Sequence, residues 1–128
     1  TGTFIDWRES QINFSVIGRN CTLSQREDYV LWDNKSNERR KIIQQLREEF
    51  TGWGLSFRLG GQISIDISRE GWDKSYAFEN MLQSPSDCVF FGDKIIKDGN
   101  DLDIAMKCAY YHSVESPADT ILQIQEYK

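Results

Sequence analysis

The chain has 128 residues, enough for one ordinary domain or two half-domains. With 39% hydrophobic and 27% charged residues and no apolar run near the roughly twenty residues of a membrane helix, we expect a soluble chain without a membrane partner. Fifteen Lys and Arg against twenty Asp and Glu give a net charge of −5, so no nucleic-acid partner is expected. The three scattered cysteines favour a reducing, cytoplasmic location over a disulfide framework.

Charge is divided unevenly along the chain. All eight arginines precede Gly71, whereas residues 72–128 contain five lysines, ten acidic residues and no arginine. Guanidinium groups suit phosphates and clustered carboxylates suit hard cations. We therefore predict two domains, 1–71 and 72–128, with different chemistry.

The first domain is predicted to be α+β with an antiparallel sheet. Alternating apolar residues indicate one hairpin, residues 3–7 and 11–17 with a turn at Glu9 and Ser10, and a second hairpin around Gly60 and Gly61. Two helices are expected between the hairpins. The first would start at a Ser24–Glu27 capping box, and the second would be capped by Asn34 or Ser36.

The second domain is predicted to be α/β. A helix is expected over residues 73–82, followed by a strand of a parallel sheet, buried on both faces, over residues 88–91. A helix over residues 100–108 and a strand over residues 110–114 are expected after it. Ser116 would cap a last helix that has Pro117 at its first position and Asp119 in its first turn. Two parallel strands make a thin sheet, so we expect its other strands to lie in sequence outside these residues.

Ser64 and Asp66 alternate with three isoleucines, so they share the polar face of a strand. An ordinary solvated face is the alternative. Arg26 near the start of a helix opposes the helix dipole, which an anion at that position would explain. With Arg8 and Arg19 it forms a possible phosphate site, although each arginine is also compatible with plain surface.

Asp93 follows the apolar strand, where ligands gather in open α/β sheets, and Asp101 lies eight residues later. These carboxylates could meet at a Mg²⁺ ion, or Asp101 could simply cap a helix in a polar loop. Lys74 lies at the predicted start of a helix, where a cation opposes the helix dipole. A bound anion would explain it, and the alternative is a lysine exposed to solvent. His112 has no ligand-spaced partners, which favours a structural role.

Six motifs follow one another along the chain, namely residues 3–5 (TFI), 17–19 (IGR), 60–66 (GGQISID), 71–74 (GWDK), 90–94 (FFGDK) and 99–101 (GND). By this ordered set of motifs the sequence resembles the eukaryotic phosphomannomutases nearly from end to end. That family belongs to the haloacid-dehalogenase (HAD) superfamily, with a Rossmann-type core and an inserted α+β cap. The resemblance implies a cap at residues 1–71 and the closing part of the core at residues 72–128.

The resemblance also implies roles for the candidate residues. Arg8, Arg19 and Arg26 would grip the sugar phosphate, and Ser64 and Asp66 would bind phosphate and sugar hydroxyls. Lys74 would neutralise the transferring phosphoryl group, Asp93 would bind Mg²⁺, and Asp101 would orient Lys74 or the metal site.

The implied reaction interconverts mannose 6-phosphate and mannose 1-phosphate through a phospho-aspartyl enzyme, for GDP-mannose synthesis. A hexose 1,6-bisphosphate activator and a homodimer through the cap are implied as well. The family's aspartyl nucleophile belongs to an Asp-x-Asp-x-Thr motif that these residues lack. We therefore expect a fragment that is inactive alone. The family has an acidic ligand of a second, structural cation near the position of Lys107. Because a lysine cannot take that role, we do not expect the second cation here.

Two other functions are compatible with the same residues. One is a sugar-phosphate phosphatase of the same superfamily, in which water instead of a sugar hydroxyl attacks the aspartyl phosphate. The other is a phosphosugar-binding module without catalysis.

Overall fold

A computed structural model describes residues 2–72 and 84–127 of the chain. The chain divides into two compact units, Thr1–Asp73 and Lys74–Lys128. Its architecture is α/β, with an antiparallel sheet in the first unit and a parallel strand pair in the second. The helix predicted over residues 73–82 lies outside the described residues, and so does Lys74.

The first unit contains both predicted hairpins. Strands β1 (Ile5–Trp7), β2 (Gln11–Ser15), β3 (Leu55–Gly60) and β4 (Ser64–Arg69) form one sheet in the order β1-β2-β4-β3, and all neighbours are antiparallel. The predicted turn at Glu9 and Ser10 is confirmed, because Glu9 has a φ of 58° and the Ser10 amide donates to the Arg8 carbonyl.

The strand register separates an apolar face of the sheet from a polar one. Ile67 lies between Ile12 and Phe57 across three neighbouring strands. One residue earlier on β4, Asp66 lies between Asn13 and Arg58. Since successive side chains of a strand point to opposite faces, these two rows lie on opposite sides of the sheet.

Helices α1 (Leu23–Ser36) and α2 (Glu38–Glu49) connect the two hairpins. The capping box predicted at Ser24–Glu27 is wrong. The box is formed two residues earlier by Thr22, whose hydroxyl accepts from the Gln25 amide at 3.1 Å while Gln25 Oε1 accepts from the Thr22 amide at 2.9 Å. Both segments fit the capping pattern, and the earlier one is used because Thr22 has the extended backbone that an N-cap requires.

The predicted boundary between the two helices is also wrong. Helix α1 continues through both Asn34 and Ser36, and the chain breaks at Asn37, which adopts a left-handed conformation with a φ of 55°. Asparagine tolerates this conformation better than most residues because its short polar side chain bonds locally. The Asn37 amide donates to the Asp33 carbonyl and so ends α1.

Helix α2 covers the apolar face of the sheet. The buried core of the first unit consists of Ile43, Phe57, Leu59 and Ile65, with Phe14, Val16, Ile42, Leu46, Phe50, Leu55 and Ile67 packed around it. The polar row that contains Asp66 therefore lies on the face away from this core.

The second unit has a short 3-10 turn (Pro85–Asp87), then β5 (Val89–Gly92), α3 (Leu102–Lys107), β6 (Tyr110–Ser113) and α4 (Pro117–Glu126). Strands β5 and β6 are parallel, as predicted. The predicted cap of α4 is confirmed, because the Ser116 hydroxyl accepts from the Asp119 amide. The expectation that β5 is buried on both faces is not met, since Val89 is exposed and only Gly92 is buried.

None of the described helices combines the length and the apolar character that a bilayer crossing requires.

Candidate functional site

The polar face of the first unit holds a line of three hydrogen-bonded side chains. Arg19 Nη1 donates to Asn13 Oδ1 at 2.7 Å, and Asn13 Nδ2 donates to Asp66 Oδ1 at 2.8 Å. Asn13 is only 4% exposed, so its amide is fixed between the guanidinium and the carboxylate. The structure thus brings the predicted site residues Arg19 and Asp66 together through a side chain that joins them.

Ser64 lies two residues before Asp66 on β4 and is buried. Its hydroxyl is 3.4 Å from the Ser15 hydroxyl, its register partner on β2. Ser64 is therefore part of the polar face, as the alternation predicts, and its hydroxyl lies next to that of Ser15.

The position of the Asp66 carboxylate also depends on a neighbouring glycine. A β-carbon built on Gly60 would be 2.6 Å from the Asp66 carboxyl atoms. Any side chain at residue 60 would therefore displace the carboxylate, so the conformation of Asp66 depends on this glycine.

Arg8 and Arg19 meet at one carboxylate. Arg8 Nε donates to Asp6 Oδ2 at 3.0 Å, and Arg19 Nε lies 3.9 Å from the same oxygen. All three side chains are partly exposed, so the two guanidinium groups are accessible to a ligand. An incoming phosphate would compete with Asp6 for both of them.

Arg26 is placed differently from the other two arginines. It ends the first turn of α1, and that turn carries no acidic residue to balance the helix dipole. Within residues 2–72 and 84–127, no hydrogen bond or ion pair joins its side chain to Asp6, Arg8 or Arg19. The structure therefore does not by itself unite the three predicted phosphate-binding arginines.

In the second unit, Asp101 is a buried carboxylate with a defined partner. Its side chain is 2% exposed, and its Oδ2 accepts from the Lys94 backbone amide at 3.0 Å. Asp101 occupies the N-cap position of α3, but its side chain makes no capping hydrogen bond. Its carboxylate instead ties the loop after β5 to the start of α3.

Asp93 directly follows β5 and is exposed. Asp93 and Asp101 line one cleft of about 570 Å³ together with Glu115 and Ser116, at the carboxyl ends of the two parallel strands. This is the edge at which open α/β sheets bind ligands.

An exposed carboxylate such as that of Asp93 suits a hard cation such as Mg²⁺, which prefers oxygen ligands. Within the described part of the chain, however, no three His, Cys, Asp or Glu side chains are grouped to hold a metal ion. Asp93 thus fits the role of one ligand in a set that these residues do not complete.

His112 has the structural role that the sequence favours. Its ring stacks on Phe91 with centroids 5.3 Å apart, and it is hydrogen-bonded to the Tyr127 hydroxyl. The histidine therefore belongs to an aromatic cluster between β5, β6 and the end of α4.

Two residues of the polar face, Asp6 and Asn13, were not predicted as site residues. The signal available in the sequence was the alternation of Asn13 with Ile12 and Phe14, which places it on a polar face. That β2 pairs with β4, and so brings Asn13 next to Asp66, is visible only in the folded chain.

Comparison with known proteins finds relatives along nearly the whole chain. The family model described as eukaryotic phosphomannomutase matches residues 1–127. The phosphomannomutase of Triticum aestivum is 44% identical over 123 residues, which are 95% of this chain and 49% of that protein. Phosphomannomutase 1 of Homo sapiens is 42% identical over 127 residues, which are 98% of this chain and 48% of that protein.

The chain spans about half the length of the curated relatives it matches. Among solved structures, the N-terminally truncated IMP-nucleotidase of Plasmodium falciparum aligns with 94% of this chain and 31% of its own, at 16% identity and a TM-score of 0.49. A likeness of that degree does not establish a shared fold.

Proposed function

Because the chain belongs to the eukaryotic phosphomannomutase family, we propose that it is part of an enzyme that interconverts mannose 6-phosphate and mannose 1-phosphate. The reaction proceeds through a phospho-aspartyl enzyme and a hexose 1,6-bisphosphate, and it supplies GDP-mannose synthesis. The aspartyl nucleophile is not among these 128 residues, because they contain no Asp-x-Asp-x-Thr motif.

The observation that carries this proposal is the hydrogen-bonded line from Arg19 through Asn13 to Asp66. A guanidinium binds phosphate oxygens through two parallel hydrogen bonds, and a carboxylate accepts hydrogen bonds from sugar hydroxyls. The two groups are held at a fixed separation by a buried amide. Such a pair suits a ligand that carries a phosphate and hydroxyls on one ring.

The two units receive the family's domain roles in this proposal. The first unit is a cap of the HAD type, and the second is the closing part of a Rossmann-type core. The four-stranded antiparallel sheet of the first unit and the parallel pair of β5 and β6 in the second support this assignment. Arg8 and Arg26 join Arg19 in binding the phosphate, and Ser64 joins Asp66 in binding the sugar.

The second unit contributes Asp93 as a ligand of Mg²⁺ and Asp101 as the residue that fixes the loop after β5. When bound, Mg²⁺ offsets the negative charge of the phosphoryl group during its transfer. Asp101 holds the Lys94 amide and thereby the backbone next to Asp93. Lys74, outside the described residues, is assigned to the same phosphoryl group by the family motif.

The proposed enzyme is cytoplasmic and forms a homodimer through the first unit. Support for the dimer comes from the edge strand β1, where Ile5 is 65% and Trp7 74% exposed. Apolar side chains exposed along a sheet edge mark an association surface.

The decisive experiment is Arg19→Ala in the full gene product. We expect its mutase turnover to fall at least about a hundredfold, while hydrolysis of a small aryl phosphate falls far less, because such a substrate has no second phosphate to hold. Arg40→Ala is the matched control, since α2 lies on the apolar side of the sheet.

Three results would contradict the proposal. Equal losses in both reactions would mean that Arg19 does not act on a distal phosphate. If the wild-type gene product hydrolysed the sugar phosphate without isomerising it, the protein would be a phosphatase. If it bound the sugar phosphate and catalysed neither reaction, it would be a phosphosugar-binding module.

A further inference from the structure

A buried ion pair ties the two helices of the first unit together. Arg39, in the first turn of α2, is 6% exposed, and its Nε donates to Asp33 Oδ2 at 2.7 Å. The Arg39 backbone amide donates to the other carboxylate oxygen of Asp33 at 2.9 Å. Asp33 lies near the end of α1, so one carboxylate holds both the side chain and the backbone of Arg39.

The far end of the same guanidinium reaches the turn between β3 and β4. Arg39 Nη1 lies 3.2 Å from the Gly60 carbonyl oxygen, 3.2 Å from that of Gly61 and 2.9 Å from that of Ser64. Gly60 and Ser64 are the register pair that closes this hairpin. One side chain therefore holds the backbone on both sides of the turn.

The strand that follows this turn, β4, carries the residues that the proposed function assigns to the sugar. Ser64 is itself one of the three carbonyl partners of Arg39. The position of Gly60 relative to β4 also leaves the space occupied by the Asp66 carboxylate. A shift of the Gly60 backbone would change both the position of the Ser64 hydroxyl and the space available to the Asp66 carboxylate.

We propose that Arg39, oriented by Asp33, is a positioning residue that fixes Ser64 and Asp66 for recognition of the sugar ring. This inference rests on the proposed function. Arg39 does not touch the ligand, because it is only 6% exposed and its Nε and Nη1 are engaged on Asp33 and on the turn. Arg8 and Arg19, which the proposed function assigns to the phosphate, are held by different partners, Asp6 and Asn13. Their positions therefore do not depend directly on Arg39.

The geometry requires an arginine. A guanidinium offers donors along two edges of a rigid plane, so it can bind a carboxylate and several carbonyl groups at once. A lysine has the same charge but a single nitrogen at its tip. Arg39→Lys therefore preserves a cation next to Asp33 and gives up either the ion pair or the contacts with the turn.

The test is made on the full gene product with Arg39→Lys and Asp33→Asn. Arg47→Lys is the matched control, because Arg47 also lies on α2 and its Nη2 also donates to a carbonyl of β3, that of Phe57, at 3.0 Å. Calorimetry measures the dissociation constants of mannose 6-phosphate and of inorganic phosphate. Chemical denaturation shows that each variant is folded.

For Arg39→Lys we expect the dissociation constant of mannose 6-phosphate to rise at least about tenfold, as befits weakened hydrogen bonds to the sugar, and that of inorganic phosphate less than about twofold. For the Arg47→Lys control we expect both constants to change less than about twofold. If Arg39→Lys does not fold, Asp33→Asn replaces it. For that variant we expect a smaller loss of the same selectivity for mannose 6-phosphate over inorganic phosphate.

A folded Arg39→Lys protein that still prefers mannose 6-phosphate as the wild type does would overturn the inference. Equal weakening of both ligands would overturn it too, since Arg39 would then support the whole unit and not the sugar-binding residues. Failure of the proposed function looks different: the wild-type gene product would itself show no preference for mannose 6-phosphate over inorganic phosphate and no mutase activity.

Discussion

The Asp66 carboxylate occupies the space into which a side chain at Gly60 would project. A β-carbon on Gly60 would be 2.6 Å from the carboxyl carbon and from both carboxyl oxygens. Gly60 and Asp66 lie on neighbouring strands of the same hairpin, so this close approach is built into the sheet.

Replacement of this glycine should therefore impair binding more than folding. In Gly60→Ala the new methyl group displaces the Asp66 carboxylate from Asn13, and we expect the affinity for mannose 6-phosphate to fall about tenfold with a stability loss of about 1–2 kcal/mol. Gly52→Ala is the control, because Gly52 has a φ of 86° and open space around it. It should cost about 1 kcal/mol of backbone strain and leave affinity nearly unchanged. Equal affinity losses in both variants would refute the steric explanation.

Asn13 should be needed to hold both Arg19 and Asp66 in position. In Asn13→Ala the guanidinium of Arg19 and the carboxylate of Asp66 each lose a hydrogen bond, and we expect a loss of about 1–3 kcal/mol in the free energy of unfolding. Calorimetric titration should show weaker binding of inorganic phosphate as well as of mannose 6-phosphate, because Arg19 is no longer fixed. Gln11→Ala on the same strand is the control. Unchanged phosphate binding in Asn13→Ala would show that Arg19 is positioned by other contacts.

Tyr29 should make the first unit sensitive to alkali. Its side chain is 7% exposed, and burial, followed by the negative charges of Asp33 and Glu38, raises the pKa of its hydroxyl well above the ordinary value of 10.0. The folded state keeps the phenol neutral where the unfolded state ionises it. Stability is thus retained below pH 10 and falls above it, by at most about 1.4 kcal/mol per pH unit.

Tyr29→Phe tests this directly. Within the described residues the Tyr29 hydroxyl has no hydrogen-bond partner, so its removal should leave stability at pH 8 unchanged or raise it by up to about 1 kcal/mol. Denaturation between pH 8 and 11.5 should show a shallower alkaline decline for Tyr29→Phe than for the wild type. Parallel declines would mean that other groups cause the alkaline unfolding.

In the second unit, the carboxylate of Asp101 should matter for turnover and less for folding. Asp101→Asn keeps an oxygen acceptor for the Lys94 amide and removes the charge, so we expect near-normal unfolding and a turnover at least about tenfold lower in the full gene product. Gly92→Ala should impair both, because its β-carbon would be 2.7 Å from Asp101 Oδ2 and 2.6 Å from Phe90 Cε1. Full activity of a folded Asp101→Asn protein would remove Asp101 from the proposed site.

The exposed edge of β1 should carry the proposed dimer. Ile5→Lys and Trp7→Lys place charges on that edge, and light scattering after gel filtration should show a monomer for either variant of a dimeric wild type. Leu23→Lys is the control, since Leu23 is 70% exposed but lies on α1. Dissociation by Leu23→Lys alone would place the interface on the helix.

Local patterns in the sequence determined the elements and much of their polarity. Strict alternation identified both hairpins and assigned Ser64 and Asp66 to a polar face. The serine, proline and aspartate at residues 116–119 identified the start of α4. These signals work because side-chain direction in a strand and the first turn of a helix depend on residues only a few positions apart.

Where several local patterns competed, the sequence alone was insufficient. Two capping boxes overlap at residues 22–27, and only the folded chain shows that Thr22 and Gln25 form the one that exists. The start of α2 is likewise misplaced by the sequence, because Asn34, Ser36 and Asn37 are all acceptable cap residues and only the folded chain shows that the two helices divide at Asn37.

The site itself was decided by tertiary structure. Asn13 contacts Asp66 across 53 positions of sequence, and Arg39 reaches the carbonyls of Gly60 and Ser64 across 21 and 25 positions. No local pattern encodes these contacts, because they depend on which strands pair and in which register. The sequence therefore supplied the residues with the right chemistry, and the pairing of β2 with β4 placed them against one another.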